Sequence, residues 1–278
     1  MDDTTAQQPS DADVTPEPIR VAILYDPVKL EEREAGYPSP ALQNVLDATS
    51  DITTSDIALA SLLAGGLDGH TCLCVPGGFA PNYASRLGTQ GFRIIRDFVA
   101  AGGGFVGLCA GAYLGSSQGI GLLPVDCVDV HRWARGSGPC QLHFTVDGHR
   151  LLGAAAPLDR DGDAAQPVTV RYANGPLMRI GGPAATVATF ATEFRELHVG
   201  HRYGSRIEGS PAVVLGRASG LRAEQPGGVV ALASPHLEDG DDARALTPFA
   251  NMLRLASRGS FYQRWIEESW GQIGVQCA

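Results

Sequence analysis

The sequence Phe105-Val106-Gly107-Leu108-Cys109-Ala110-Gly111 is the stretch that decides the fold. Residues 105–108 form a short apolar run, which is typical of a strand buried on both faces. A G-x-C-x-G turn follows at once, and small residues continue over 112–117. This pattern predicts a nucleophile elbow, in which a thiol lies at the apex of a tight strand-to-helix turn. The two glycines are expected because a Cβ atom would collide with neighbouring backbone there.

Strands and helices alternate on the amino-terminal side of this turn. Short apolar runs predict strands at 20–25, near Ile52, at 71–75 and at 105–108. Helical spacing and breakers predict helices after Ser39-Pro40, from Ile57 to Ala64 and from Gly91 to Gly104. The alternation indicates βαβ units, and therefore an α/β fold with a mostly parallel sheet and helices on both faces.

The pattern changes between about residue 120 and residue 225. Apolar and β-branched segments separated by turn residues predict strands, without clear helices, at 142–146, 168–172 and 185–190. We interpret this region as an antiparallel insertion in the parallel sheet. Apolar strands resume at 212–215 and 229–233, and the spacing of the last residues predicts one or two helices, around 246–253 and 262–266.

The 278 residues are enough for one large domain. Residues 1–18 contain five acidic residues and three prolines and almost no large apolar side chain, so we expect a disordered tail. The domain itself is predicted over 19–245. Residues 246–278 are predicted to form a helical extension.

Composition disfavours several classes of protein. The net charge is −9, from 21 basic and 30 acidic residues, which argues against a nucleic-acid partner. No apolar run reaches the roughly 20 residues that span a bilayer, so no membrane partner is expected. The acidic start does not resemble a signal peptide, and six cysteines are too few for a disulfide framework in a chain of this length. We therefore predict reduced thiols and a cytoplasmic location.

Three groups of residues are predicted to carry catalysis at the carboxyl ends of strands, where open α/β sheets place their sites. Cys109 is the candidate nucleophile, and the helix after it would favour the thiolate. His236 and Glu238 directly follow the strand at 229–233 and supply a base with a carboxylate to orient it. The N–H groups of Gly78 and Ala110 are candidate donors of an oxyanion hole.

Each of these motifs also has a plain structural interpretation. Cys109 could be a buried cysteine in a glycine-rich loop, and His236 a solvated or capping histidine. The Gly77-Gly78 pair could be a turn that requires positive φ. Asp26, at the end of the first strand, lies on the functional edge and could reach Cys109, but we favour its interpretation as a turn cap.

Other chemistry-bearing residues are interpreted as structural, and no metal or cofactor is predicted. The acidic segment 159–163 lacks the spacing of a calcium loop. His198 and His201 lack a second cluster that would complete a metal site. Cys72 and Cys74 share one face of a buried strand and are interpreted as core residues.

These motifs together resemble the class I glutamine amidotransferase-like superfamily, and more closely the N-terminal domain of biotin–protein ligases and its stand-alone relatives. The likeness covers roughly residues 20–245, and the segments that carry it are Pro76-Gly77-Gly78, Tyr83, 91–104, 105–117, Tyr172-Ala173-Asn174-Gly175 and His236-Leu237-Glu238. It implies a flavodoxin-like sheet with Cys109 as nucleophile, His236 as base and Glu238 as orienting acid. The candidate substrate-binding residues are Gly77, Tyr83, Tyr113 and Asn174.

Two departures from this superfamily shape the functional prediction. Tyr113 stands four residues after the candidate nucleophile, where glutamine amidotransferases generally carry a glutamine. Neither a synthase nor a ligase domain is recognised, so we expect neither glutaminase activity nor biotinylation.

The favoured prediction is a Cys-His-Glu enzyme that acts through a thioester on an amide or other acyl group of a small molecule or peptide. One alternative is a catalytically silent ligand-binding or regulatory module. Another is a peptidase or thiol-repair role.

Overall fold

A computed structural model describes residues 18–25, 40–47, 49–131, 136–153, 166–193, 206–218, 227–239 and 243–258. Several sequence predictions lie outside these residues: the tail up to residue 17, Asp26, the segment 159–163, His198, His201 and the second carboxyl-terminal helix.

Eleven strands are found in the described part of the chain. They are β1 Ile19–Tyr25, β2 Ile52–Ala58, β3 Cys72–Val75, β4 Gly104–Leu108, β5 Val125–Cys127, β6 Ser137–Phe144, β7 Val168–Ala173, β8 Met178–Ile180, β9 Ala185–Phe190, β10 Pro211–Arg217 and β11 Val229–Ala233. Nine of them form one sheet in the order β2-β1-β3-β4-β11-β10-β9-β6-β7, and β5 pairs with β8. The first five strands of this order are parallel and the remaining pairings are antiparallel. The predicted α/β sheet with an antiparallel insertion is therefore confirmed.

The described helices are α1 Pro40–Asp47, α2 Leu59–Leu63, α3 Ala80–Ala100, α4 Ala110–Gly115, α5 Val146–Leu152 and α6 Ala243–Ser257. None of them is both long and apolar enough to cross a lipid bilayer.

The sheet is buried between two layers because neighbouring residues of its central strands point to opposite faces. Val21 and Ile23 of β1 belong to the hydrophobic cluster that includes residues of α1, α5 and α6, whereas Ala22 and Leu24 belong to the cluster that includes residues of α2, α3, α4 and the β5–β8 pair. The continuous apolar runs recognised in the sequence are therefore the interior strands of a three-layer fold.

Two helix predictions differ from the structure near the first crossover strands. The helix predicted from Ile57 begins only at Leu59, because β2 stays paired with β1 up to the Tyr25–Ala58 position. The long helix α3 begins at Ala80, before the predicted Gly91, and Gly88 interrupts it with φ of 55°. The apolar stripe predicted after Gly91 belongs to the part of α3 that follows this kink.

The prediction that residues 120–225 contain no clear helix is wrong, because α5 lies within this range. Thr145 caps it, since its hydroxyl oxygen accepts a hydrogen bond from the Gly148 N–H at 3.0 Å. Gly153, with φ of 58°, ends it in the left-handed conformation. The strand predicted over 142–146 accordingly ends at Phe144.

Candidate active site

The three motifs lie at neighbouring strand ends. β3, β4 and β11 are adjacent and parallel, so the residues that follow Val75, Leu108 and Ala233 emerge at the same edge of the sheet. This is the edge at which open α/β sheets bind their ligands. The sheet order thus brings together segments that are distant in sequence.

Cys109 occupies a strained turn between β4 and α4. Its φ is 50° and its ψ is −101°, a conformation that non-glycine residues rarely adopt. The Cys109 N–H donates to the Ala233 carbonyl oxygen at 2.8 Å, which ties the turn to β11. A Cβ atom on Gly111 would collide with the Val75 carbonyl oxygen, and one on Gly107 would collide with that of Gly111. The turn therefore has the close backbone packing expected of a nucleophile elbow.

His236 and Glu238 form a hydrogen-bonded pair. Nδ1 of His236 lies 2.7 Å from Oε1 of Glu238. The Glu238 side chain is 4% exposed, and the other carboxylate oxygen, Oε2, contacts no hydrogen-bond partner among the described residues. The Nδ1 contact leaves Nε2 of the imidazole as the nitrogen that can exchange a proton with the thiol.

Two contacts fix the position of His236. Its N–H donates to the Arg171 carbonyl oxygen of β7 at 2.8 Å, and these two residues form an isolated antiparallel bridge. Its imidazole packs directly against Gly77, where a Cβ atom would collide with Cε1. Gly77 therefore makes room for the imidazole.

The surroundings of His236 raise its pKa strongly. Burial lowers the pKa of His236, but the charge of Glu238 and the hydrogen bonds with Cys109 and Glu238 more than offset it and raise that pKa to about 10. The imidazole thus contacts both the sulfur and the carboxylate. Both contacts favour the protonated form of the imidazole.

The Cys109 sulfur has a second polar neighbour. Its thiol donates to the Ala173 carbonyl oxygen, at the end of β7, with an Sγ to oxygen distance of 3.3 Å. The thiol is almost fully buried, with Cys109 only 5% exposed. Strand β7, from the antiparallel part of the sheet, therefore contacts both the sulfur and, through Arg171, the histidine.

Gly78 and Ala110 are the candidate donors of the oxyanion hole. Within the described part of the chain, neither N–H group donates to a protein acceptor. Gly78 has φ of 148°, and both residues line the cavity that contains Cys109. Two unused N–H groups next to a nucleophile are suited to stabilise an oxyanion.

The cavity beside Cys109 has a volume of about 750 Å³. Its described lining consists of Gly78, Phe79, Ala80, Pro81, Ala84, Cys109, Ala110, Tyr113, Leu114, Ser116, Gln118, Gly119, Val130, Ala173 and Asn174. Of the candidate substrate-binding residues, Tyr113 and Asn174 line this cavity. Tyr83 does not, because it is buried with its hydroxyl donating to the Gly77 carbonyl oxygen at 3.5 Å.

Sequence reasoning missed the first turn of α3 and the Ala173 carbonyl as parts of the site. Pro81, at the second position of α3, was an available signal for an earlier helix start, because proline is favoured in the first turn. The Ala173 carbonyl oxygen carried no signal, since any residue type supplies one.

The two cysteines of β3 are structural. Cys72 and Cys74 are fully buried core residues, and burial raises the pKa of both thiols. Among the described residues, no group of three His, Cys, Asp or Glu side chains is arranged to hold a metal ion.

Comparison with known families supports the resemblance that the motifs suggested. Residues 54–120 match the family model described as "Biotin-protein ligase, N terminal". The predicted resemblance is confirmed over this segment, which begins within β2, includes the elbow and ends five residues after α4. No curated protein matches the chain significantly in sequence.

Solved structures extend the likeness to most of the chain. A putative GMP synthase subunit from Thermoplasma acidophilum is similar with a TM-score of 0.54 at 12% identity, covering 90% of this chain and 100% of that one. PurLQS from Thermotoga maritima gives a TM-score of 0.54 at 14% identity, covering 86% and 99%. At such identities the likeness concerns the fold alone, and it agrees with the flavodoxin-like sheet expected from the sequence.

Proposed function

We propose that this protein is a cysteine-nucleophile enzyme that cleaves an amide or other acyl bond through a thioester on Cys109. The observation that carries the proposal is the position of His236, which contacts Glu238 through Nδ1 and interacts with the Cys109 side chain. A thiol, an imidazole and a carboxylate in series are the arrangement that activates a cysteine nucleophile.

In the proposed reaction the Cys109 proton resides on His236, and the thiolate attacks the substrate carbonyl carbon. A C–S bond forms and the carbonyl oxygen becomes an oxyanion, stabilised by the N–H groups of Gly78 and Ala110. Collapse breaks the bond to the leaving group, which takes the proton from the imidazolium. Water then attacks the thioester, passes one proton to His236 and displaces the thiolate, so the acyl group leaves as a carboxylic acid.

Alkylation with iodoacetamide at pH 7 tests the activated thiol. An unactivated cysteine is only a few per cent thiolate at that pH, so loss of His236 should slow alkylation by about tenfold or more. The experiment compares the wild type with His236→Ala, and peptide mass mapping assigns the adduct to Cys109. His143→Ala is the matched control, because His143 is exposed on β6 away from the site.

Equal alkylation rates in the wild type and His236→Ala would contradict the proposal. A slow rate in the control as well would show a general effect of losing an imidazole. Only a decrease confined to His236→Ala supports an imidazole that activates the sulfur.

One contact favours a second candidate, a silent ligand-binding module. The Ala173 carbonyl oxygen accepts a hydrogen bond from the Cys109 thiol, with an Sγ to oxygen distance of 3.3 Å. Such a contact stabilises the thiol form because a thiolate has no proton to donate. In this alternative the cavity would bind a small molecule without cleaving it. Slow alkylation of the wild type, combined with ligand-dependent stabilisation that persists in Cys109→Ala, would favour it.

A further inference from the structure

We propose that the cavity beside Cys109 accepts an uncharged, largely apolar acyl group and disfavours free glutamine and other zwitterionic or charged substrates. This inference rests on the proposed function and names the substrate class of the same site.

The first argument is the chemistry of the cavity wall. None of the fifteen described lining residues is Asp, Glu, Lys, Arg or His. Phe79, Pro81, Leu114 and Val130 contribute apolar side chains, and Ala84 a methyl group. A charged substrate group that entered this wall would lose its hydration without gaining a charged partner.

The second argument concerns the polar side chains that do line the cavity. The Ser116 hydroxyl donates to the Tyr113 carbonyl oxygen at 2.7 Å. The Gln118 amide oxygen accepts the Cys127 N–H at 2.9 Å, which holds β5 in place. The Ser116 hydroxyl and the Gln118 amide oxygen therefore already have hydrogen-bond partners within the protein. Tyr113 and Asn174 add neutral dipoles and no charge.

The third argument is the distribution of polar donors. Gly78 and Ala110, the candidate oxyanion-hole donors, line the same cavity as Cys109, and Ala110 directly follows Cys109 in the chain. A substrate carbonyl can therefore be held at the sulfur while the rest of the acyl group contacts apolar surface. Glutamine would place an ammonium and a carboxylate on that surface, and none of the fifteen described lining residues carries a charge that could pair with them.

The rim of the cavity extends the apolar surface. Phe79, directly before α3, is 55% exposed, and it is one of two large apolar side chains that the described residues leave open to solvent. An aromatic ring at the rim offers contact area to an acyl chain that reaches the opening.

A series of p-nitrophenyl esters tests the substrate class. The acetate, octanoate and hemisuccinate esters would be compared by p-nitrophenolate release and by the mass of the acyl adduct at Cys109. Each methylene buried in the cavity should raise kcat/KM by roughly fourfold. We therefore expect the octanoate to exceed the acetate by at least about tenfold, and the charged hemisuccinate to fall below the acetate.

A charge placed in the wall gives a matched pair of variants. Ala84→Glu adds a carboxylate to the cavity, whereas Ser85→Glu adds one to the exposed side of the same helix. Ala84→Glu should remove most of the preference for octanoate over acetate. Ser85→Glu should leave it unchanged.

Binding to Cys109→Ser separates this inference from the catalytic proposal. Octanamide should raise the melting temperature of that variant, and glutamine should not. Acylation of Cys109 by all three esters with equal kcat/KM would overturn the substrate class and leave the thioester mechanism standing. Stabilisation by octanamide without acylation by any ester would overturn the mechanism alone, and stabilisation by glutamine instead of octanamide would overturn the substrate class.

Discussion

His236 contacts the candidate nucleophile, the carboxylate and the backbone of β7. Its backbone is held by the Arg171 carbonyl oxygen, its Nδ1 by Glu238, and its side chain interacts with Cys109. The imidazole ring also packs against Gly77, so it cannot shift or rotate without breaking one of these contacts. The protonation of this imidazole should therefore affect the free energy of unfolding of the protein.

The pKa of His236 predicts a pH dependence of stability. That pKa is raised from 6.5 to about 10 in the folded protein, so its contribution is complete below pH 6.5 and is lost as the pH rises through 10. In Glu238→Gln the pKa of His236 should be lower, and the contribution should disappear at lower pH. Urea unfolding at intervals between pH 6 and pH 10 should show a steeper decline for the wild type, by up to about 1.4 kcal/mol per pH unit.

Asp239→Asn is the control for this comparison. Asp239 is a neighbouring carboxylate, but it pairs with Arg171 at the surface, with an Nη1 to Oδ2 distance of 2.6 Å. The Asp239→Asn variant should show the same pH dependence of the free energy of unfolding as the wild type. Parallel curves for the wild type and Glu238→Gln would contradict the assignment of the raised pKa to the Glu238 charge.

At this scale the sequence identified the residues that follow strand ends and left their surroundings undetermined. Cys109, His236 and Glu238 were predicted from short motifs after apolar runs, and the structure brings them together. The roles proposed for Gly77 and Tyr83 in substrate binding stay predictions. Motif membership cannot show which way a side chain points, and Tyr83 points into the core.

At the scale of elements, α6 is part of the sheet's covering layer. It packs across β1, β3, β4 and β11, and Phe249, Met252 and Leu253 are fully buried in the core it shares with them. The extension predicted from residue 246 therefore contains core residues. Its loss should expose one face of the strands that carry the site.

Phe249→Ala should lower the free energy of unfolding by about 3–5 kcal/mol, the usual cost of removing a buried aromatic side chain. Chemical denaturation measures the change. Thr247→Ala, an exposed position on the same helix, should change it by less than about 0.5 kcal/mol. Equal effects of the two substitutions would contradict the packing of α6 on the sheet.

The start of α3 and the existence of the short helix α5 were not predicted from the sequence. The stripe in α3 was recognised, but the residues of α3 before Gly88 include only two large apolar side chains, Tyr83 and Leu87. Helix α5 is only seven residues long, and its signals are a cap at Thr145 and a glycine at 153, which also resemble a turn. Such short helices are stabilised mainly by packing, which local sequence does not encode.

At the scale of the whole molecule, the order of strands decides where the site forms. β11 lies between β4 and β10, although more than a hundred residues separate it from β4. The alternation of strands and helices predicted the parallel part correctly. It contained no information on which edge the later strands join, because that depends on contacts between distant segments.

The sheet order predicts the pattern of hydrogen exchange. β3 and β4 are fully buried and paired on both sides, whereas β2 and β7 lie at the two edges. Amide protons of β3 and β4 should exchange only by global unfolding, and those of β2 and β7 faster by local opening. Exchange mass spectrometry of peptides from these strands measures the difference. Uniform protection across all four strands would contradict it.

The hydrogen bond between His236 and Arg171 has a consequence for protein engineering. β7 ends the sheet four strands away from β11, yet its backbone holds the loop that follows β11, so the antiparallel half curves back over the site. A shortened variant that kept only the parallel strands would lose the acceptor of the His236 N–H and the cavity wall at Ala173. Miniaturisation of this scaffold would have to begin by designing a replacement for that anchor.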